Sequence, residues 1–254
     1  MSTKLSVVII TFNEENDIER CLKSVENIAD EIIIVDSYST DNTETICKKH
    51  NVKYFQQKWL GYSEQKNYAN SLATNNLVFS IDSDEAVSED LEKSILEIKD
   101  SVIENQTFKI DRLTNYCGKW IKHCGWYPDT KLRIWFKDEG KWEGELHEEV
   151  KFTNQLKVST LKGDLLHYSY HSINQHIAQF NKFTDIGAEE AFKKGKKSNW
   201  FIAIYKSVWK FKRDYIFKLG FLDGYYGFVI CALSSQATFA KYLKLHELNK
   251  QVKK

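Results

Sequence analysis

Residues 5–11 read LSVVIIT, a run of β-branched and other apolar residues without the alternation of a half-exposed strand. Such a run is typical of a strand that is buried on both faces in a parallel sheet. Two similar runs follow it, EIIIV at residues 31–35 and LVFSI at residues 77–81. The chain therefore supplies several central strands for one parallel sheet.

Helical patterns alternate with these strands over the first ninety residues. Helices are predicted at residues 17–25, 43–50, 63–72 and 90–98, and a further short strand at residues 52–55. This alternation predicts an α/β fold with a Rossmann-like, mostly parallel sheet flanked by helices. Strands are predicted again at residues 107–113 and 131–136, and the pattern is helical from residue 172 onward.

Composition and charge limit the class of protein. The 254 residues are 42% hydrophobic with a single proline, which suits one large domain or a domain with an appendage and excludes a collagen-like chain. Residues 1–192 contain 22 Lys+Arg and 32 Asp+Glu, whereas residues 193–254 contain 14 and 3, so their formal net charges are −10 and +11. We therefore predict two parts, an acidic domain over 1–192 and a basic, aromatic, amphipathic helical extension over 193–254.

Cysteines and apolar segments point to a cytoplasmic protein. The five cysteines are scattered without a CxxC spacing, which disfavours a zinc or dithiol site and fits reduced thiols. The apolar run near the N-terminus is shorter than the core of a signal peptide. The longest uncharged stretch, residues 224–240, is shorter than the roughly 20 apolar residues that span a bilayer.

Carboxylates gather where the predicted strands end, which is where open α/β sheets bind ligands. Asp82 and Asp84 follow the strand at residues 77–81 and are separated by one residue. If the strand breaks there, both can point the same way and offer hard oxygen ligands to Mg²⁺ or Mn²⁺, which would neutralise a diphosphate. The alternative is a strand-ending turn in which Asp84 caps a helix near Ser88.

Four segments carry a family resemblance through their order and spacing. They are VVIITFNEE at residues 7–15, EIIIVDSYSTDNT at 31–43, QKNYA at 65–69 and VFSIDSDEAVS at 78–88. Together they resemble the inverting nucleotide-sugar glycosyltransferases of family 2, which have the GT-A fold. The resemblance implies an enzyme with a DXD motif that binds Mg²⁺ or Mn²⁺.

The same resemblance implies roles for individual residues. The nucleotide-sugar donor would be bound by Thr11, Asn13, Glu14, Asp36, Lys66 and Asp82. Within this set, Asp36 would read the uracil, Lys66 would lie near the diphosphate, and Asp82 would face the ribose or donor sugar. Asp84 would bind the metal. Helix capping for Asp36 and a solvated helix position for Lys66 are the ordinary alternatives.

The middle of the chain narrows the resemblance. Residues 126–129 (WYPD), 131–136 (KLRIWF) and 142–150 (WEGELHEEV) are similar to glucosyltransferases that extend the inner core of lipopolysaccharide or lipooligosaccharide. The similarity continues at residues 180–185 and 220–227. It implies transfer of glucose from UDP-glucose to a heptose of a lipid-linked core oligosaccharide.

An inverting transfer needs a carboxylate that takes the proton from the attacking acceptor hydroxyl. Glu148 is the expected base, with Glu145 and Glu149 as rivals, because strand alternation would place those two on the face opposite Glu148. His147 is a candidate ligand for the metal, or a loop histidine without a special role. Arg133 is a candidate for contacting phosphate or a charged acceptor, or else is a surface strand residue that pairs with a nearby acid.

The basic extension has the composition of an interfacial helix. Between residues 193 and 218 lie nine Lys/Arg and one acid, interleaved with aromatic and aliphatic residues. Lys206, Lys210 and Arg213 share one helical face. This pattern predicts peripheral binding to the anionic inner face of the cytoplasmic membrane. The alternative is a helix that packs on the protein and leaves its basic side in solvent.

Other functions fit the pattern less well. Nucleic-acid binding is disfavoured because the acidic domain would repel a phosphate backbone. A nucleotidyltransferase would be expected to carry a glycine-rich phosphate loop after the first strand, whereas residues 12–16 contain no glycine. A related transferase with another glycan acceptor and a non-enzymatic binding module remain as alternatives.

Overall fold

The computed structural model describes residues 2–102, 104–144 and 148–251. The chain forms two compact units. The first unit consists of Met1–Arg112 and Asp129–Tyr168, and the second of Leu113–Pro128 and Ser169–Lys254. These units do not follow the boundary expected between residues 192 and 193. As a division between a catalytic part and a basic extension, that boundary stays a prediction.

The elements follow one another in a β–α order that becomes strand-rich in the middle of the chain. The first are β1 Leu5–Thr11, α1 Ile18–Val25, β2 Glu31–Asp36, α2 Thr43–Cys47, β3 Lys53–Gln56, α3 Tyr62–Ser71, β4 Leu77–Asp82, β5 Glu85–Val87 and α4 Glu89–Ser101. Next come β6 Gln106–Tyr116, β7 Lys119–Ile121, β8 Asp129–Phe136, β9 Gly140–Glu143, β10 Glu149–Phe152 and β11 Lys157–Tyr170. The chain ends with α5 Ile173–Lys193, α6 Trp200–Lys212 and α7 Gly224–Gln251.

The first unit is built on a twisted, mixed sheet. Its strands lie in the order β3-β2-β1-β4-β8-β6-β11-β5. The strands β3, β2, β1 and β4 pair in parallel, while β8 runs antiparallel to both β4 and β6. Strands β9 and β10 form a separate antiparallel pair. The predicted α/β fold with a mostly parallel sheet flanked by helices is confirmed.

The continuous apolar runs are explained by burial on both faces of this sheet. On one face, Ile9 and Ile34 join a core that includes residues of α1 and α4. On the other face, Val8 and Ile33 pack in a second core with Trp135. Because successive strand residues point to opposite faces, a strand covered on both sides needs apolar side chains at every position.

The register of the parallel strands brings their carboxyl ends together. Thr11 at the end of β1 pairs with Asp36 at the end of β2. On the other side of β1, Ile10 pairs with Asp82 at the end of β4. The loops that follow these three strands therefore leave the sheet at one edge, as expected for a ligand site in an open α/β sheet.

Strand β11 is held against the start of α4. Ser88 caps α4, and its Oγ also accepts from the backbone N–H of Asp164 at 3.0 Å. Gly163 has φ +89°, and a Cβ there would lie 2.2 Å from the backbone nitrogen of Leu91. This close approach sets the register in which His167 of β11 pairs with β5.

The second unit contains an aromatic cluster and the C-terminal helices. The fully buried ring of Tyr116 contacts those of Trp126, Tyr170, His176 and Tyr226. Helix α7 packs along both α5 and α6. The helical pattern predicted from residue 172 is confirmed, with Ser172 and Gln175 forming a capping box at the start of α5.

A turn of π-helix and a short 3₁₀ helix join α6 to α7. The π turn covers Arg213–Phe217 and the 3₁₀ helix covers Gly220–Asp223. No single helix of the described residues is long and apolar enough to cross a membrane. By length and composition alone, the pair Trp200–Phe217 and Gly220–Gln251, bent by 71°, would suffice together.

We expect Gly163→Ala to destabilise the protein more than Gly118→Ala. Both glycines have φ +89°, which costs an alanine about 1–2 kcal/mol. Only at Gly163 would the new methyl group also overlap backbone atoms, and such overpacking adds about 1–3 kcal/mol. Urea unfolding followed by circular dichroism measures the difference, and equal free energies of unfolding for the two variants would contradict this close packing.

Candidate active site

Two loops at the carboxyl edge of the sheet are tied to each other. Asn13, after β1, has φ 55°, and its side-chain Oδ1 accepts from the backbone N–H of Thr40 at 2.8 Å. The backbone N–H of Asn13 donates to Ser39 Oγ at 2.8 Å. Thr11 is buried just before this loop, and its hydroxyl oxygen has no hydrogen-bond partner among the described residues. Thr11 and Asn13 thus lie at the edge where the donor nucleotide was predicted.

Asp36 is fully buried at the end of β2 and shapes the loop that follows. Its carboxylate accepts from the backbone N–H of Ser39 at 2.8 Å and from the Ser39 hydroxyl. Tyr38, with φ 62°, is exposed within this turn. Asp41, not Asp36, accepts from the backbone N–H of Thr43 at the start of α2. Helix capping therefore does not explain Asp36, and its role in reading a base stays a prediction.

Glu14 lies in a strongly negative environment. Burial first, and then the charges of neighbouring acids, raise the pKa of Glu14 to about 8. These acids are Asp84, Asp17, Asp41 and Asp82. A carboxyl group with this pKa is mostly protonated at pH 7, so this edge of the sheet has more acids than it can keep ionised without a cation.

Asp82 is held between two cations. Its Oδ1 lies 3.0 Å from Lys66 Nζ, and its Oδ2 accepts from Arg133 at 2.8 Å. Burial opposes the charged form, but Arg133 and then Lys66 outweigh it and hold the pKa of Asp82 well below its ordinary value. Asp82 is therefore a fixed carboxylate at neutral pH.

Glu85 completes this network from below the site. It is 1% exposed, and its Oε1 accepts from Arg133 at 2.6 Å and from Arg112 at 3.3 Å. Its Oε2 accepts from the backbone N–H of Asp82 at 3.0 Å. Burial disfavours the charged guanidinium, but Asp82 and Glu85 raise the pKa of Arg133 above its ordinary value. Of the alternative for Arg133, the surface position is wrong, since the residue is 3% exposed, but the pairing with nearby acids is observed at Asp82 and Glu85.

Lys66 links the network to Glu148. Its Nζ donates to Glu148 Oε1 at 3.1 Å and lies 4.6 Å from the centre of the Trp142 ring. The alternative of a solvated helix position is wrong for Lys66, which is 4% exposed. By contrast, Glu149 is largely exposed and pairs with Lys151 at 3.3 Å.

These groups border a cavity of about 730 Å³. Its walls come from α3, β4, β6, β8, β9 and the start of β10. The charged residues that line it are Lys66, Asp82, Lys109, Arg112, Lys131, Arg133, Glu148 and Glu149. A cavity of this size beside an Asp–Lys–Glu chain has room for a sugar and for groups attached to it.

Asp84 meets a histidine from a distant part of the chain. His167 Nε2 on β11 lies 3.0 Å from Asp84 Oδ2, while the other ring nitrogen, Nδ1, is buried without a partner among the described residues. The capping alternative for Asp84 is wrong, because Ser88 accepts from the backbone N–H of Leu91 at the start of α4. Asp84 therefore pairs with His167 and does not cap α4.

The sequence did not reveal Glu85 or His167 as functional residues. The only sign of Glu85 in the sequence is its position directly after the DXD motif. His167 is 83 residues from Asp84, and their meeting depends on the pairing of β11 with β5. The predicted residues Glu145 and His147 lie outside the described residues. Within the described ranges, no group of three or more His, Cys, Asp or Glu side chains could hold a metal ion.

The chain is similar in sequence to several known proteins. The profile of "Glycosyl transferase family 2" matches residues 6–142. An uncharacterised glycosyltransferase of Rickettsia typhi is 34% identical, covering 97% of this chain and 88% of the relative. The lipopolysaccharide core biosynthesis glycosyltransferase LpsC of Rhizobium meliloti is 26% identical, covering 96% of this chain and 93% of the relative.

Among solved structures, S. aureus TarS 1–349 in complex with UDP-GlcNAc gives a TM-score of 0.48 at 16% identity, covering 98% of this chain and 92% of that one. The family profile and the Rickettsia relative, which matches almost the whole chain, agree with the order of strands and acidic loops described above. The predicted resemblance and the GT-A type of α/β fold are confirmed. The chain belongs to glycosyl transferase family 2 and is a glycosyltransferase.

Proposed function

We propose that this protein is an inverting, metal-assisted hexosyltransferase that moves glucose from UDP-glucose to a heptose of a lipid-linked lipopolysaccharide or lipooligosaccharide inner core. The observation that carries the proposal is the chain of ion pairs from Arg133 through Asp82 and Lys66 to Glu148 at the mouth of the cavity. The lipopolysaccharide-core name of the Rhizobium meliloti relative supports the acceptor class. No nucleic acid takes part in this reaction.

On the donor side, the carboxyl ends of β1 and β2 supply Thr11 and Asp36, and the loop after β1 supplies Asn13 and Glu14, around the nucleotide. Asn13 ties the two loops together, so the edge is ordered before a ligand arrives. Lys66 presents a positive charge beside Asp82, where a diphosphate would meet it. Because the loops are already ordered, the free-energy cost of ordering them on ligand binding is smaller.

The residues present fit a divalent cation. Mg²⁺ in nucleotide-dependent enzymes is usually held by one or two carboxylates together with substrate phosphates, so a complete protein cage is not required. Asp84 supplies a carboxylate and His167 an imidazole, and the surplus of acids that raises the pKa of Glu14 favours a cation at this edge. When bound, the metal ion would stabilise the charge that develops on the departing diphosphate.

The position of Glu148 supports the role of base. Its carboxylate borders the cavity and is oriented by Lys66, while Glu149, which also lines the cavity, is largely exposed and pairs with Lys151. An acceptor hydroxyl bound in the cavity would give its proton to Glu148 as it attacks the anomeric carbon from the side opposite the nucleotide. That geometry of attack produces inversion.

We expect Glu148→Gln to lower the rate of transfer by a factor of about 10²–10⁴, the usual contribution of general-base catalysis. Binding of UDP should change little, because the amide keeps the shape of the side chain. The matched control is Glu149→Gln, which should keep near-normal turnover. Initial rates and UDP titrations measure both effects, and normal turnover of the Glu148 variant would eliminate it as the base.

We expect Asp84→Asn and His167→Ala each to weaken the binding of Mn²⁺ in the presence of UDP by at least tenfold, because each removes one of two protein ligands. Calorimetric titration of Mn²⁺ into the UDP-loaded protein measures this. Asp90→Asn, at an exposed position on α4, is the control and should leave Mn²⁺ affinity unchanged. Unchanged affinity in both test variants would refute this metal site.

The identity of the donor sugar has its own test. A ligand that binds the folded state raises the melting temperature, and the shift grows with the logarithm of the ligand concentration divided by its Kd. With Mn²⁺ present, we expect UDP-glucose to raise it more than UDP-galactose or UDP-GlcNAc at equal concentration. A larger shift with either competitor would reassign the donor while leaving the reaction class intact.

A further inference from the structure

The second unit exposes an unusual number of large apolar side chains. Among the described residues, 23 such side chains are exposed, and 13 of them lie between residues 200 and 228. They are Trp200, Phe201, Ile204, Tyr205, Val208, Trp209, Ile216, Phe217, Leu219, Phe221, Leu222, Tyr225 and Phe228. Monomeric soluble proteins rarely leave an apolar patch of this extent in water, so the patch indicates a binding surface.

Ring contacts join this set into one surface. Trp209 of α6 lies 6.0 Å from Phe217 of the π turn. Tyr215 contacts Phe221 of the 3₁₀ helix at 6.3 Å and Phe228 of α7 at 5.9 Å. These contacts link neighbouring elements, and we call the exposed apolar residues of α6, the π turn, the 3₁₀ helix and the start of α7 the apolar corner face.

The backbone at the centre of the apolar corner face is closely packed. A Cβ at Gly227 would lie 2.0 Å from the carbonyl oxygen of Gly220, and one at Gly220 would lie 2.8 Å from that of Asp214. Leu219 takes φ 55° between the two helical segments, which meet at 71°. The most exposed residues, including Phe217 at 68% and Leu222 at 55%, project from this fixed bend.

The charges around the face are positive without an exposed acid. Between residues 193 and 246 the only acids are Asp214 and Asp223, and both are buried. Asp214 pairs with Lys210 at 2.6 Å and Arg213 at 2.7 Å, while Asp223 accepts from backbone N–H groups and pairs with His123. The exposed basic residues are Lys193, Lys194, Lys196, Lys197, Lys206, Lys212 and Lys218. The face thus offers apolar groups and cations together.

We propose that the apolar corner face docks on an anionic lipid bilayer. Phe217, Leu219 and Leu222 enter the boundary between headgroups and acyl chains, while Lys206 and Lys212 meet anionic headgroups. This is the composition of an interfacial segment, in which rings lie at headgroup depth and lysines add electrostatic attraction. The segment lies on the membrane without crossing it.

Other occupants match this surface less well. A symmetric contact between two copies of this face would bring lysines against lysines with no exposed acid of residues 193–246 to pair them. A nucleic acid would match the lysines and rings, but it has no use for exposed aliphatic side chains such as Ile204, Val208 and Ile216. A bilayer satisfies both the cations and the aliphatic groups. The inference goes beyond the proposed reaction and does not depend on its sugar or acceptor.

The first test removes the apolar contact. Full-length protein is sedimented with vesicles of 30% phosphatidylglycerol in phosphatidylethanolamine, and in parallel with pure phosphatidylcholine. We expect binding to the anionic vesicles, reduced at least tenfold in Phe217→Ser/Leu222→Ser. The control Leu96→Ser/Val158→Ser removes two exposed apolar groups of the first unit and should bind normally. Equal binding of the two double variants, or no binding of the unchanged protein, overturns the proposal.

The second test removes the charges. Each lysine near an anionic surface contributes about a fivefold change in affinity, so Lys206→Ser/Lys212→Ser should bind about 30-fold more weakly at low salt. The control Lys93→Ser/Lys162→Ser changes exposed lysines of the first unit and should have little effect. Equal loss in the two double variants would show attraction by the whole protein and would overturn the assignment to this face.

Two further readouts separate the occupants. Brominated lipid should quench the tryptophan fluorescence of bound protein. The quenching should be smaller in Trp209→Phe, which lacks the ring expected at the membrane. Binding of single-stranded RNA, or dimerisation, that is lost in Phe217→Ser/Leu222→Ser without any vesicle binding would overturn the proposal.

The affinity for UDP separates this inference from the proposed reaction, and it should be unchanged in the variants of the apolar corner face. If the unchanged protein binds the vesicles but does not transfer the sugar, the proposed reaction is wrong and the membrane inference stands.

Discussion

The guanidinium of Arg133 is buried on β8, the strand that joins the parallel part of the sheet in the opposite direction. A buried charge must be paired, and removing one partner of such a pair typically costs about 3–5 kcal/mol. Its partners Asp82 and Glu85 come from the two sides of the bend between β4 and β5. The need to satisfy this one cation therefore fixes that bend, and with it the directions in which Asp82 and Asp84 leave the sheet.

The other active-site groups follow from that constraint. Because Arg133 occupies one oxygen of Asp82, the second oxygen is left for Lys66, and Lys66 in turn orients Glu148. The same bend puts Asp84 within reach of His167, once Gly163 lets β11 approach α4. The groups that we propose for the donor side and for the acceptor side are thus parts of one charged network, although they come from separate stretches of sequence.

The sequence predicts elements well where local pattern and tertiary burial agree. The strands at residues 5–11, 31–35 and 77–81 are correct to within a residue, because a strand covered on both faces must be apolar throughout. The sequence singles out Lys66, Asp82 and Arg133 as candidates, and the structure brings their side chains into contact, while their roles stay predictions. The strand β5 has only three residues, which are too few to show a periodicity. His167 could not be predicted either, because its position depends on the pairing of β5 with a strand about 80 residues further along the chain.

The uneven charge of the chain has two separate physical consequences. In the first unit, Glu14 has an ordinary pKa of 4.5 and a folded pKa of about 8, so without a cation the folded state holds a proton that the unfolded chain releases. Stability from this site is then complete below pH 4.5 and falls as the pH rises towards about 8. A bound divalent cation opposes that loss by favouring the carboxylate. In the second unit, Asp214 and Asp223 form internal pairs, so exposed lysines such as Lys206 and Lys212 have no exposed acid nearby in sequence and are open to the anionic partner that we propose.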